Sequence, residues 1–379
     1  MDGIKAKPVS LALQGGGMHG AFTWGVVDRL LEDGRLAIEG VSATSAGAMN
    51  AAVLANGLLK GGEDGARQAL YEFWLAIAES AERYSPFRWI PWLKGTHSFG
   101  LNHSPLYAMA DMVLRVLSPY QFNPYNMNPL RDVLEKQVDF EELRKQCPIR
   151  LFLCATNVET GRIRIFSGSD LCVEAVLASA CLPTLFQAVT IDGQHYWDGG
   201  YVGNPALFPL IYECSTRDVV IVHINPIVRR GVPTTAADIL NRLNEVSFNS
   251  SLMREMRAIA FVTALIQQGK VDRDDMKEML IHSIRSDETM AALDVSSKYN
   301  ADWSFLCHLR DQGRAQAEAW LARNYEDVGQ RSSVDIKGSF SKRQRGPGLR
   351  RLRHASAEQT DRGQDGTACS RYATNDCCG

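Results

Sequence analysis

Residues 9–31 read VSLALQGGGMHGAFTWGVVDRLL, and residues 36–47 read LAIEGVSATSAG. Val9 to Leu13 is a short apolar run ending at Gln14. Gly15-Gly16-Gly17 then opens a stretch in which Phe22, Val26, Val27, Leu30 and Leu31 recur at helical spacing. This is a strand, a glycine turn and a helix. A second unit follows: Leu36 to Thr44 reads as a strand through Ile38 and Val41, and Ala46 to Leu59 is small-residue-rich and helical, with Ser45 at the junction. Further strands are expected at Arg150 to Thr156, Arg162 to Ser167 and Asp218 to Ile224, and helices near Leu171 to Ala180 and from Ala236 to Gln268. Strands alternating with helices predict an α/β protein with a mostly parallel sheet.

Around this frame the composition is that of an ordinary globular chain: 379 residues, 45% hydrophobic and 22% charged, enough to bury a sizeable core. The net charge of -2 conceals an asymmetry. Residues 331–379 hold ten Lys or Arg against five Asp or Glu and few apolar side chains, so a disordered basic tail is expected there, while the body is acidic. Its basic centre, Lys342 to Arg353, could touch acidic lipid, although a solvated tail is the plainer reading. Nothing in the overall charge attracts nucleic acid, and none is expected as a partner. No run of 18 apolar residues occurs and the amino terminus, MDGIKAKPVS, lacks a signal-peptide pattern. The expectation is a cytoplasmic protein without a transmembrane helix, at most peripheral at a membrane. Nine cysteines show no metal-ligand spacing, so no metal site is expected, and Cys154, Cys172 and Cys181 read as buried thiols. Residues 84–128, rich in aromatics and prolines, read either as a cap presenting apolar surface to a lipid chain or as an insertion packed on the body.

A serine hydroxyl becomes a nucleophile when a base takes its proton, a sharp turn exposes it and backbone N–H groups stabilise the oxyanion. Ala43-Thr44-Ser45-Ala46-Gly47 matches the G-x-S-x-G nucleophile elbow except at Ala43, and it lies where an elbow must lie, between strand and helix. Gly15-Gly16-Gly17-Met18-His19-Gly20 offers several N–H groups at a helix amino terminus, suited to an oxyanion or a phosphate. A dinucleotide role is disfavoured because the following strand leads into Ser45 rather than to an acidic residue. Far downstream, Asp198-Gly199-Gly200 supplies a carboxylate that can be approached closely; alone it would read as a turn.

G-G-G-x-x-G, then x-x-S-x-G, then D-G-G in this order resembles the patatin-like phospholipases. The resemblance extends to Gly25, to Ala178-Ser179-Ala180-Cys181-Leu182-Pro183 before the aspartate, and over about Leu11 to Leu210. The segments LALQGGGMHGAFTWGVVDRLLEDGRL and YWDGGYVGNPALFPL look like a bacterial subgroup of that family. It implies a three-layer α/β/α sandwich with a catalytic domain at 9–212, a last strand and helical extension at 213–330 and the tail at 331–379. It further implies Ser45 as nucleophile, Asp198 as base of a Ser-Asp dyad, and Gly15, Gly16, Gly17, Met18, His19 and Gly20 as oxyanion hole. The activity implied is a phospholipase A or lysophospholipase-like hydrolysis of lipid esters, in lipid catabolism or remodelling, without metal or cofactor. Two departures stand out: Ala43, and His19 where many members carry Arg or Lys. His19 reads more simply as a first-turn residue bonded to backbone than as a headgroup contact. Two other readings compete. One is an α/β-hydrolase triad: His195, His223 and His308 all lie downstream of Ser45, and the chain order Ser, Asp, His fits His223 or His308, but Ser45 follows too few strands for that fold. The other is a non-catalytic lipid-binding scaffold.

Overall fold

The computed structural model describes residues 6–84, 117–272, 275–293 and 295–336. The chain divides into Met1–Ser341 and Lys342–Gly379. Residues 85–116 of the aromatic insertion, and the tail from 337 on, lie outside the described residues.

Eight strands form one sheet: β1 (Lys7–Leu13), β2 (Leu36–Thr44), β3 (Arg150–Asn157), β4 (Ile163–Phe166), β5 (Val189–Ile191), β6 (Gln194–Asp198), β7 (Asp218–Val222) and β8 (Leu280–Ile284). Their order is β5-β6-β3-β2-β1-β7-β8, with β4 also on β3. The pairs from β3 through β2, β1 and β7 to β8 are parallel, and β4, β5 and β6 add an antiparallel edge. Helices follow in the order α1 (Gly20–Asp33), α2 (Ala46–Tyr84), α3 (Pro119–Phe122), α4 (Pro129–Gln137), α5 (Phe140–Gln146), α6 (Val173–Ser179), α7 (Phe208–Glu213), α8 (Ala236–Gln267), α9 (Asp287–Ala292) and α10 (Trp303–Asn324).

Alternation along the central strands builds the layers. In β1, Val9, Leu11 and Leu13 enter one apolar cluster with α1, α2 and α10, while Ala12 enters a second with α7 and α8. Val220 and Val222 of β7 face the first cluster, and Val219 and Ile221 the second. A strand buried on both faces reads as a continuous apolar run, which is how VSLAL and DVVIV read. The result is the α/β/α arrangement with a mostly parallel central sheet.

Three elements go beyond the periodicity. The small-residue helix after Ser45 does not stop at Leu59: after a break at Gly61 (φ -155°) and Gly62 (φ 62°) it continues to Tyr84. Asp218–Val222 is not the edge of the sheet, because β8 pairs with it in parallel. The third is α10, which returns to lie along α1. Gly25 and Gly313 let the two backbones meet: a Cβ on Gly25 would strike the Arg310 carbonyl, and one on Gly313 the Phe22 carbonyl.

Replacing Gly25 by Val should therefore lower the unfolding free energy by about 3 kcal/mol in a urea titration, since backbone cannot yield as a side chain can. Gly61→Ala, with open space around it, should stay within about 0.5 kcal/mol of the parent.

Candidate active site

The carboxyl ends of β1, β2 and β7 converge, where ligands bind in open α/β sheets. Ser45 follows the last residue of β2 and takes φ 56°, a left-handed conformation that a non-glycine residue rarely adopts and that marks a sharp strand-to-helix turn. Its N–H donates to Ser179 Oγ at 2.9 Å, and it is 7% exposed. Thr44 fixes the other side of the turn by donating its hydroxyl to the Gly203 carbonyl at 2.7 Å. Ala43 sits in register between Leu13 and Leu153, fully buried in the sheet core, so its methyl group is absorbed before the turn begins.

Register brings the carboxylate to the serine. Thr44 lies opposite Cys154 on β3, and the next β3 residue, Ala155, lies opposite Asp198 on β6. Asp198 is fully buried. Its main chain is held on both sides, the N–H donating to the Cys181 carbonyl at 2.8 Å and the C=O accepting from Thr156 Oγ1 at 2.7 Å. Oδ1 accepts the Gly200 N–H at 2.7 Å, whereas Oδ2 is buried without a hydrogen-bond partner. Burial pushes the carboxyl up to about 7, with the Gly200 N–H and then the nearby Ser45 side chain pulling in the opposite direction. The serine is thus close enough to favour the charged carboxylate without completing a bond to Oδ2, a resting geometry common before a substrate arrives.

The glycine turn passes directly behind Ser45: a Cβ on Gly15 would lie 2.6 Å from the Ser45 Cβ. Not all of its amides are equivalent. Gly15 N–H is taken by Asn204 Oδ1 at 2.7 Å, and Gly20 N–H by the carbonyls of Gly17 and Met18. Gly16, Gly17 and Met18, at the start of a short 3-10 turn, have amides with no hydrogen bond among the described residues. His19 turns away from backbone. Its Nε2 meets Ser297 Oγ at 2.7 Å, its ring stands edge-on to Phe305, and burial, then Lys298, drives it down to about 3. It is neutral at physiological pH and 3% exposed, not a headgroup contact.

Sequence reading overlooked the amides that hold this turn. Gln14 Oε1 accepts from Ile224 N and Asn225 N, and Gln14 Nε2 donates to the Asn204 carbonyl and to Asn249 Oδ1. Asn225 Nδ2 donates to the Gly15 carbonyl at 2.7 Å, and Lys298 Nζ donates to Asn225 Oδ1. The only available signal was the polar cluster Gly203-Asn204 after the D-G-G motif, which carries no meaning without the fold. Neither His195 nor His223 bonds to the pair. His195 Nδ1 is bonded to Thr190 Oγ1 at 3.0 Å at the exposed start of β6, and His223, rather than being satisfied by backbone, has both ring nitrogens buried without a partner among the described residues. A groove of about 560 Å³ lined by Arg150, Phe208 and Tyr212 lies at the amino end of β3, away from Ser45.

Residues 11–211 match the patatin-like phospholipase family. Among solved structures, VipD from Legionella pneumophila is similar over 83% of this chain and 66% of its own length, at 14% identity and a TM-score of 0.39. A chain of the full-length SpcU–ExoU complex from the type III secretion system of Pseudomonas aeruginosa is similar over 84% of this chain and 53% of its own, at 15% identity and a TM-score of 0.32. The chain therefore spans about two thirds and about half of these structures. No curated protein matches it.

Burial, then Arg285, takes the His223 ring down to about 3. A histidine held neutral in the fold contributes fully above its unfolded pKa of about 6.5, and that contribution is lost as pH falls below it, at about 1.4 kcal/mol per pH unit. Between about pH 7 and about pH 5 the wild-type chain should lose about 2 kcal/mol more stability than His223→Leu, as read by urea unfolding at each pH.

Proposed function

The chain belongs to the patatin-like phospholipase family, and we propose that it hydrolyses lipid carboxyl esters through a dyad of Ser45 and Asp198. The observation that carries this reading is the fully buried Asp198, with one oxygen unpartnered and its carboxyl pushed up to about 7, beside a serine held at φ 56°. A carboxylate in water is too weak a base to share a serine proton. Desolvation closes much of that gap, and the orphan oxygen is free to receive it.

In the mechanism, Asp198 Oδ2 accepts the proton as Ser45 Oγ bonds to the ester carbonyl carbon. The amides of Gly16 and Gly17, with Met18 next to them, take the developing negative charge on the carbonyl oxygen; Gly15 and Gly20 shape the turn. Each such donor is worth on the order of 10²–10³ in rate. Collapse of the tetrahedral intermediate breaks the ester C–O bond, and Asp198 returns its proton to the leaving alcohol. Water then attacks the acyl-serine, giving a proton to Asp198, and collapse of the second tetrahedral intermediate breaks the acyl–Oγ bond as Asp198 returns that proton to Ser45 Oγ, releasing the fatty acid. Ala43, Thr44, Ala46 and Gly47 form the elbow, Gly199 lets the base motif lie flat against β3, and Gly200 lets it pack on Phe248 of α8. Phospholipid or lysophospholipid, in lipid catabolism or remodelling, is the substrate class that family membership supports.

A fluorophosphonate probe should give one adduct, located on Ser45 by peptide mass spectrometry. Because the carboxylate is the active form of a group at about 7, the labelling rate should rise about tenfold between about pH 6 and about pH 8. Asp198→Asn should label at least about 10³-fold more slowly and lose that pH dependence. An adduct at another serine, or undiminished labelling of the Asn variant, would sink the dyad.

A further inference from the structure

Helix α8 is buried along one face and apolar along part of the other. Its inner stripe carries Phe248, which lies against Gly200 and edge-on to Tyr201, and Asn249, which receives Gln14 Nε2; these touch the candidate site. The first turns of the outer stripe hold Ile239, Leu243 and Val246, exposed by 42%, 59% and 51%. The loop leading into the helix adds Val228 at 60% and Val232 at 86%. Single exposed apolar residues are ordinary, but a stripe of them continuous with an apolar loop marks a contact surface. At 1.5 Å per residue, Ile239 begins only about 14 Å along the axis from Phe248, so the surface adjoins the site.

Charge selects the occupant. Further along the same outer stripe, at helical spacing, come Ser250, Arg254 and Arg257, and both arginines are exposed and make no ion pair among the described residues. The three acidic residues of α8 are committed elsewhere. Asp238 bonds Thr235 at the N-cap, Glu245 pairs with Arg229 and Arg242, and Glu255 accepts the N–H groups of Leu207 and Phe208. Pairing two copies through this face would gather uncompensated arginines in one interface. An anionic phospholipid bilayer supplies both what the apolar stripe excludes from water and what the arginines lack.

Resting on the hydrolase reading above, we propose that the outer face of α8, with Val228 and Val232, docks the protein on an anionic phospholipid bilayer and sets the site mouth at the lipid surface. Apolar side chains enter the headgroup boundary, and Arg254 and Arg257 meet lipid phosphates.

The test uses the full chain, co-sedimented with phosphatidylcholine vesicles and with vesicles also containing phosphatidylglycerol, alongside hydrolysis of a soluble short-chain ester. Wild type should bind the anionic vesicles more tightly. The double variant Val232→Asp, Leu243→Asp should weaken binding to both by about tenfold or more. Arg254→Glu with Arg257→Glu should remove the preference for anionic vesicles. All variants should keep the wild-type rate on the soluble ester, which also reports folding. Unchanged vesicle binding would overturn the proposal, as would a dimer in gel filtration that Val232→Asp, Leu243→Asp splits, since a second copy would then cover the face. If no chain hydrolyses the soluble ester while the vesicle losses appear as stated, the docking face stands and the hydrolase reading fails.

Discussion

The site depends on how closely the end of β1 passes behind Ser45. Gly15 approaches so near that any side chain would meet the serine Cβ at 2.6 Å and the Thr44 carbonyl at 2.9 Å. That approach removes water from several main-chain groups, each of which would be costly if left unpaired. The chain answers with carboxamides rather than charges. Gln14 alone serves four partners, Asn204 holds the Gly15 N–H and Asn225 holds the Gly15 carbonyl. Gly15 is thereby held at both its N–H and its C=O, although Asn204 Nδ2 is itself buried without a partner among the described residues. With the flanking groups saturated, the amides of Gly16 and Gly17 remain as donors whose direction is fixed before any substrate is present, which is what stabilising a transient charge requires.

The same economy of charge governs the carboxylate. Asp198 is buried with no cation beside it among the described residues, and its shift comes first from desolvation. A neighbouring lysine or arginine would have lowered the carboxyl and left a base too weak for a serine proton. The nearby basic groups are disposed accordingly. His19 and His223 are held neutral by burial, and Lys298, itself pushed down by burial, points its ammonium at Asn225 rather than at the dyad. Basicity at Asp198 is therefore a property of the whole enclosure, so residues that touch neither Ser45 nor Asp198 can tune it by admitting or excluding water.

Sequence made the inner frame legible because each signal there has a single physical meaning. VSLAL before three glycines, and a small-residue helix after Ser45, admit few foldings, and β1, β2 and α1 lie within two or three residues of where periodicity puts them. Asp198 was legible only by resemblance, since an Asp-Gly pair alone denotes a turn. What escaped was long-range. β8 (LIHSI) mixes apolar and polar residues because His282 bonds Asp218 Oδ1 at 2.9 Å and Ser333 Oγ at 3.1 Å within the fold, which blurs its strand pattern. α10 shows a poor apolar stripe because glycine, not a large side chain, makes its closest contact with α1. The carboxamides behind Gly15 have no spacing of their own; their relation exists only once β1, β7 and α8 are adjacent.

Helix α8 shows why such relations matter for function. Its inner face bonds Gln14 through Asn249, packs on the base motif through Phe248 and holds the start of α7 through Glu255, whose carboxyl burial raises to about 7. Those contacts fix the helix to the glycine turn and to Asp198-Gly199-Gly200 together, so it cannot shift as a body without disturbing both. An outer face on so constrained a helix has a defined height and angle relative to Ser45. A surface contact made there orients the site opening, whereas the same contact made through a loosely tethered segment would leave the opening free to face any direction.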